Sequence, residues 1–207
     1  MGKFGFFIAR LLRREAPLAR LSVPQAKILK ALEDKTVAIV GNARALSKTA
    51  YGAEIDTHDV VIRINGAPVP AAISHGTKTD WLAMATRVPA QELSRINAAR
   101  LMWFSHKRKR LDWHVAQTEG FYLHPLSDYA KLERTLGRQP TTGAMVIDLV
   151  SRSNAVEINL YGFDFFSSLS LSGRRSAEDV PHDFDAEAAF VKALIRADPR
   201  VSLHEMK

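Results

Sequence analysis

The stretch TVAIVGN, residues 36–42, decides the fold class. Its apolar residues form one continuous, largely β-branched run, which is typical of a strand buried on both faces of a parallel sheet. Similar runs occupy residues 59–65, 79–85, 100–105, 120–125, 155–163 and 200–205, and helix-period segments occupy 89–99, 127–136, 141–153 and 183–197. This alternation predicts an α/β fold, a single Rossmann-like domain with a mostly parallel central sheet flanked by helices.

The bulk composition narrows the class of protein. A chain of 207 residues suits one core, so we expect a basic, amphipathic helical segment over residues 1–34 and a single domain over 35–207. There is no cysteine, which excludes disulfides, thiolate metal sites and a cysteine nucleophile. That absence fits a reducing compartment, and we expect a cytoplasmic protein, either free or peripheral on the inner face of the cytoplasmic membrane.

The net charge of +7 predicts an anionic partner, and two clusters carry much of it. Residues 1–20 mix Phe and Leu with Lys and Arg at near-helical spacing. They form either a helix packed on the domain or an interfacial helix on an anionic membrane surface. The run HKRKR, residues 106–110, is either a solvated face or a site for phosphate or lipid headgroups. Nucleic acid is not the expected partner, since no recognised nucleic-acid motif surrounds this run.

Ligands of parallel sheets bind at the carboxyl ends of the strands, so the residues that follow the predicted strands are candidates. These are Gly41 with Asn42, Asn65, and Gly162 with Phe163. Glycine permits a tight turn against a phosphate, and the Asn amide can donate to a phosphate oxygen. The first turn has neither the three glycines of a dinucleotide fingerprint nor the Gly-Lys-Ser/Thr of a Walker loop.

The stretch PTTGAM, residues 140–145, opens a predicted helix with Thr142 as its N-cap. Unpaired N–H groups and the positive end of the helix dipole make such a start suitable for an anion or a carboxylate. An ordinary capped turn explains the same residues equally well.

The stretch HDFDAE, residues 182–187, has three interpretations. Asp183 and Asp185 have the Asp-x-Asp form of a metal site, but positions i and i+2 of a helix diverge by about 200°, which weakens it. His182 beside the positive helix end is a candidate general base, with Glu187 one turn on as a supporting carboxylate. The third interpretation is a plain helix cap by Asp183.

Taken together, these stretches resemble the sialyltransferases of glycosyltransferase family 29. The large motif of that family resembles residues 37–69, with Val-Gly-Asn, Tyr-Gly, Ile-Asp-x-His-Asp and Arg-x-Asn-x-Ala-Pro. The small motif resembles residues 140–163, and the very small motif is matched by His182 and Glu187 with four residues between them. The resemblance implies a metal-independent, inverting transferase without a cofactor, in the variant GT-A-like sialyltransferase fold.

The resemblance also implies roles for these residues in holding a CMP-activated sugar. Asn42 and Asn65 would contact its phosphate and sugar. The turn Thr141, Thr142 and Gly143 would hold the ribose and the sugar carboxylate. Gly162 and Phe163 would line the cytidine pocket, and His182 would be the base. The sugar would be sialic acid or the related 2-keto acid sugar Kdo, and the acceptor a glycan or a glycolipid such as lipopolysaccharide core.

Two departures from the family pattern matter. Both motifs lack the cysteines that form a disulfide in animal members, which indicates a bacterial-type cytosolic enzyme, and the chain is also short for the family. The His-Tyr-rich motif that supports the leaving phosphate is also not visible, and a Ser-rich segment over 165–179 stands there instead. We predict that Arg174 or Arg175 neutralises the phosphate. The alternative function is a catalytically inactive protein that binds CMP or an anionic glycan.

Overall fold

The structure is a computed structural model that describes residues 1–164 and 182–206. Its strands are β1 (Thr36–Val40), β2 (Val60–Ile64), β3 (Trp81–Met84), β4 (Arg100–Trp103), β5 (Tyr122–Leu123), β6 (Glu157–Tyr161) and β7 (Val201–Leu203). Its α-helices are α1 (Lys3–Leu11), α2 (Glu15–Ala19), α3 (Gln25–Lys30), α4 (Gly52–Thr57), α5 (Ala72–His75), α6 (Ala90–Ile96), α7 (Trp113–Ala116), α8 (Leu126–Leu136), α9 (Thr142–Ser151) and α10 (Phe184–Ala197).

The strands form one sheet in the order β5-β4-β3-β2-β1-β6-β7, and each pairing in the described part of the chain is parallel. The predicted α/β class with a parallel sheet is therefore confirmed. Val40 pairs with Arg63 of β2 on one side and with Tyr161 of β6 on the other. This register brings the carboxyl ends of three neighbouring strands to one level.

The strand order reverses at β1, which fixes where a ligand would bind. The chain runs from β1 to β2 on one side, and β6 returns on the other. In open parallel sheets such a reversal leaves a crevice between the loops that leave the two strands in opposite directions. The crevice here lies between Gly41, which follows β1, and Gly162, which follows β6.

Apolar side chains cover both faces of the sheet, as continuous apolar strands require. On one face Ile39 and Ile62 pack with Met145 and Val146 of α9. On the other face Leu82 and Trp103 pack in a cluster that includes Phe6 and Leu18 of the N-terminal helices, while α4 covers β1.

The first 34 residues contribute directly to these clusters. Phe6 and Leu18 are fully buried in one, and Ile28 of α3 is fully buried in the main core. The N-terminal segment is thus packed on the domain, although one side of α1 stays exposed. In residues 1–164 and 182–206, none of the helices combines the length and apolarity that crossing a membrane requires.

Candidate active site

Two glycines allow the ends of β1 and β6 to approach closely. The amide of Gly41 donates to Tyr161 O at 2.7 Å, and the amide of Ala43 donates to Gly162 O at 3.2 Å. A Cβ on Gly41 would lie 2.4 Å from Gly162 O, closer than any side chain allows. Gly162 has a φ of +71°, a conformation that favours glycine. The predicted turn glycines therefore form the floor of the crevice.

Phe163 joins the start of α9 to this crevice. A Cβ on Gly143 would lie 2.7 Å from Cε1 of Phe163 and 3.6 Å from Cδ1 of Ile64. The Phe163 ring therefore lies directly against the first turn of α9, and only glycine fits there without a shift. The structure thus brings Gly143, Gly162 and Phe163 together at the crevice.

Asn42 and Asn65 lie at neighbouring strand ends on the same edge. Asn42 Nδ2 donates to Ile64 O at 3.2 Å, so this side chain bridges to the end of β2. Asn65 has a φ of +54°, and its Oδ1 accepts from the amide of Ala85 at 3.0 Å. Within the described residues the Asn65 Nδ2 group has no hydrogen-bond partner, so it can donate to a ligand.

The first turn of α9 has two amides that can bind an anion. Thr141, and not Thr142 as the sequence suggested, is the N-cap, because its hydroxyl accepts from the amide of Ala144 at 3.1 Å. The amides of Thr142 and Gly143 have no hydrogen-bond partner among the described residues. They lie at the positive end of a ten-residue helix, so the turn suits a phosphate or a carboxylate.

Glu187 holds this turn from the neighbouring helix. It is buried, with 4% of its surface exposed. Thr141 donates its amide to Glu187 Oε1 at 2.6 Å and its hydroxyl to Oε2 at 2.7 Å. Glu187 was predicted to support His182, but its carboxylate binds Thr141 instead. The Thr141 hydroxyl therefore gives its one hydrogen to Glu187 and can meet a ribose only as an acceptor, so its predicted role stays a prediction.

His182 lies just before α10 and is fixed by Gln139, a residue outside the predicted site. Its Nδ1 is 2.7 Å from the carbonyl oxygen of Gln139. A carbonyl only accepts, so Nδ1 carries the hydrogen and Nε2 keeps its lone pair. Burial lowers the pKa of His182 and is the largest effect; the Gln139 bond raises that pKa by less, and the positive charge of Lys107 lowers it by a still smaller amount. His182 is therefore neutral near pH 7 and able to accept a proton.

The comparison with known families decides the identity of this fold. The family model described as glycosyltransferase family 29 (sialyltransferase) matches residues 15–118, half of the chain. The chain belongs to glycosyltransferase family 29. The part of this family 29 chain that the model matches contains β1, where the strand order reverses, together with Asn42 and Asn65.

Curated proteins named as sialyltransferases match this chain over part of their length. The chain is 32% identical over 154 residues to the pig CMP-N-acetylneuraminate-beta-galactosamide-alpha-2,3-sialyltransferase 1, covering 61% of this chain and 43% of the relative. It is 36% identical over 59 residues to sialyltransferase-like protein 2 of Arabidopsis thaliana, covering 28% and 13%. The family 29 chain thus spans less than half the length of these relatives.

Solved structures share the fold over more of the chain. A mammalian sialyltransferase in complex with Gal-beta-1-3GalNAc-ortho-nitrophenol superposes with a TM-score of 0.65 and 21% identity, covering 99% of this chain and 86% of that one. The sialyltransferase CstII from Campylobacter jejuni, in complex with CMP-3FNeuAc, gives 0.53 and 15%, covering 82% and 79%. At these identities the likeness shows that the family 29 chain has a sialyltransferase fold.

The remaining predicted site residues are the aspartates of the Asp-x-Asp sequence and the two arginines of the Ser-rich segment. Asp183 caps α10, since its Oδ1 accepts from the amide of Ala186 at 2.9 Å. Arg174 and Arg175 lie outside the described residues, as does the predicted Ser-rich loop, so their role stays a prediction. Within the described ranges, no group of three or more acidic or imidazole side chains could jointly hold a metal ion.

Only some side chains of the basic run 106–110 are exposed. Arg108 is buried, donates to Glu15 through Nη2 at 2.6 Å and to Ser105 O through Nη1 at 2.7 Å. The His106 ring packs on Tyr129 at 4.6 Å between centroids. Arg108 is therefore a structural cation that joins α2 to the end of β4. The expected anionic contact is left to the exposed Lys107, Lys109 and Arg110.

The buried carboxyl of Glu187 predicts a pH-dependent stability. Burial raises the pKa of Glu187 to about 7, although both bonds to Thr141 lower it. The folded state thus favours the protonated acid, and this stabilisation is lost as the pH rises from the unfolded value through the folded one. We expect wild type to lose roughly 3 kcal/mol between about pH 4.5 and 7.5 relative to Glu187→Gln, measured by urea unfolding.

The exposed Glu119 provides the control for this experiment. Glu119→Gln is expected to follow wild type at each pH. If wild type and Glu187→Gln depend on pH in parallel, Glu187 does not titrate in the folded state and the assignment is wrong.

Proposed function

We propose that this chain transfers sialic acid, or a related 2-keto acid sugar such as Kdo, from a CMP donor to a hydroxyl of a glycan or glycolipid. One observation carries the proposal. Three hydrogen bonds join the segment before α9 to the start of α10: His182 Nδ1 donates to Gln139 O, and Thr141 donates its amide and its hydroxyl to Glu187. A neutral imidazole is thereby fixed to the same turn whose free amides suit an anion.

The donor site in this proposal is the crevice between Gly41 and Gly162. The amides of Thr142 and Gly143 would receive an anionic group of the donor, either its phosphate or its sugar carboxylate. Asn42 and Asn65 would contact the phosphate and sugar from the strand ends, and Phe163 would pack against the cytidine. Support comes from their arrangement around Gly41 and Gly162, and from the structure of CstII in complex with cytidine-5'-monophosphate.

The proposed reaction exchanges one C–O bond for another with inversion at the anomeric carbon. The bond from that carbon to the CMP phosphate oxygen breaks, and a bond to the acceptor oxygen forms on the opposite face. The acceptor hydroxyl gives its proton to Nε2 of His182, and the electron pair of the broken bond leaves with CMP. The helix N-terminal amides stabilise the negative charge on the departing phosphate. The developing positive charge on the sugar ring resembles that of glycoside hydrolysis.

The names of the relatives suggest the first acceptors to test. Two of them, from pig and human, are named for transfer to beta-galactosamides, and the mammalian structure holds Gal-beta-1-3GalNAc-ortho-nitrophenol. We therefore propose beta-galactosides as the starting acceptor class.

A calorimetric screen tests the proposal. It would compare CMP, CMP-sialic acid, CMP-Kdo, and uridine and guanosine sugars, each with Mg²⁺ and with EDTA. We expect binding of the cytidine ligands that EDTA does not change. Uridine or guanosine binding that requires Mg²⁺ would overturn both the donor class and the metal independence. CMP binding without turnover on any acceptor would instead favour the inactive CMP-binding alternative.

The electrostatic effect of Lys107 on His182 predicts a shift in the pH profile. A base must be neutral, so kcat/KM falls on the acid side as His182 becomes protonated. Lys107 lowers the pKa of His182, so Lys107→Gln raises that pKa and moves the acid limb to higher pH. The measurement is the pH dependence of CMP release from CMP-sialic acid.

Lys109 is the matched control, because it is exposed in the same run and is not among the charges that act on His182. Lys109→Gln should leave the acid limb where wild type has it. If the acid limb of the kcat/KM profile of Lys107→Gln stays in place or moves to lower pH, protonation of His182 does not determine that limb.

A further inference from the structure

Helix α1 has apolar side chains on two opposite faces. The inward face packs against the domain: Phe6 is fully buried, Ala9 is 3% exposed, and the centroid of the Phe6 ring lies 5.3 Å from that of the Trp113 ring. The outward face contains Phe4, Phe7, Ile8 and Leu11, at the i, i+3, i+4, i+7 spacing of one helical stripe. Phe4 is 79% exposed and Leu11 is 71% exposed.

This outward stripe is a contiguous patch and not scattered exposure. Nine large hydrophobic side chains are exposed in the described part of the chain, and six of them lie in residues 1–12. Single exposed hydrophobics are ordinary on a soluble protein, but a contiguous apolar patch marks an interaction surface.

The rim of the patch is cationic. Residues 1–14 contain Lys3, Arg10, Arg13 and Arg14 and no acidic residue. Arg10 is used within the fold, because its Nη1 donates to Leu111 O at 2.7 Å. Lys3, Arg13 and Arg14 are exposed around the apolar stripe. An apolar face with basic flanks and no acid matches the surface of an anionic bilayer.

We propose that the outward face of α1, defined by Phe4, Phe7, Ile8 and Leu11, docks on an anionic membrane surface. The stripe would enter the boundary between headgroups and acyl chains, while Lys3, Arg13 and Arg14 contact lipid phosphates. A second copy of this chain is a poorer occupant, because a two-fold contact places the same basic residues opposite each other.

Helix α1 packs beside the segment that follows the carboxyl end of β4. This segment, which Arg10 contacts, presents the exposed Lys107, Lys109 and Arg110. The positive charge of Lys107 lowers the pKa of His182, so this segment acts electrostatically on the candidate base. Docking by α1 would therefore hold the crevice near the lipid headgroups, where a lipid-linked acceptor would be found.

The test is co-sedimentation of the full chain with vesicles of phosphatidylcholine alone and of phosphatidylcholine with about one third phosphatidylglycerol. Deleting residues 1–20 would remove the buried Phe6 and Leu18, so the variant is Phe4→Gln with Leu11→Gln, which keeps good helix formers on an exposed face. The control is Ile73→Gln, because Ile73 is also 71% exposed but lies on α5.

We expect wild type and Ile73→Gln to bind anionic vesicles, and the double variant to bind at least about tenfold more weakly. Thermal unfolding of the double variant should match wild type. The proposal is overturned if wild type does not prefer anionic vesicles, or if the double variant binds as wild type does. It is also overturned if α1 instead joins two copies, seen in sedimentation velocity as a wild-type dimer that the double variant abolishes. Neither measurement involves donor or acceptor, so failure here leaves the proposed transferase activity untouched.

Discussion

His182→Asn is expected to lower turnover with CMP-sialic acid by about 10²- to 10⁴-fold, the contribution that a general base makes. The Asn Nδ2 group takes the place of imidazole Nδ1 and can still donate to the Gln139 carbonyl, which lies 2.7 Å from Nδ1 in wild type. The variant thus keeps the bond that fixes the start of α10 but has no group in place of Nε2. CMP affinity, measured by calorimetry, should stay close to wild type.

Two companion variants show whether His182 acts as a base or only positions the turn. His182→Ala also loses the Gln139 bond, so CMP affinity should fall further than in His182→Asn. His114→Gln on α7 changes an imidazole outside the crevice and should keep turnover. Turnover of His182→Asn within about tenfold of wild type would show that His182 only positions the turn.

Gly41→Ala is expected to destabilise the fold by at least about 2 kcal/mol and to abolish CMP binding. The added Cβ would lie 2.4 Å from Gly162 O and 3.3 Å from Cε2 of Phe163. The obstacle is backbone and not the end of a flexible side chain, so β1 and β6 must separate at the floor of the crevice. Urea unfolding gives the free energy, and calorimetry gives the CMP affinity.

Gly66→Ala is the matched control, since Gly66 follows β2 on the same edge but its Cβ would meet nothing within 4 Å. Its unfolding free energy should stay within about 0.5 kcal/mol of wild type. Equal stability of the two variants would mean that the strand ends do not meet as closely as the structure places them.

The fold could be predicted from the sequence because strands and helices leave local patterns of apolar residues. Buried strands such as 36–42 appear as continuous apolar runs, and α9 and α10 appear through their 3.6-residue period. The N-cap of α9 was displaced by one residue, because Thr141 and Thr142 are both good caps. Only the partner of Thr141 decides between them, and that partner is Glu187, 46 residues away.

The position of the candidate site in the fold was predictable from the sequence, but its contacts were not. The glycines and asparagines follow strands, so topology alone places them on one edge. The bond from His182 to the Gln139 carbonyl involves backbone, which carries no residue-specific signal. Arg108 was likewise grouped with its basic neighbours, whereas its ion pair with Glu15 depends on how α2 packs.

The most direct measurement of the central claim is transfer itself. Purified protein would be incubated with CMP-sialic acid and a beta-galactoside in EDTA, and both CMP and glycan product followed by mass spectrometry. We expect one CMP released per sialylated product, with EDTA having no effect and His182→Asn reducing the amounts of both products. Turnover of a uridine or guanosine sugar that depends on Mg²⁺, with no release of CMP from CMP-sialic acid or CMP-Kdo, would contradict it.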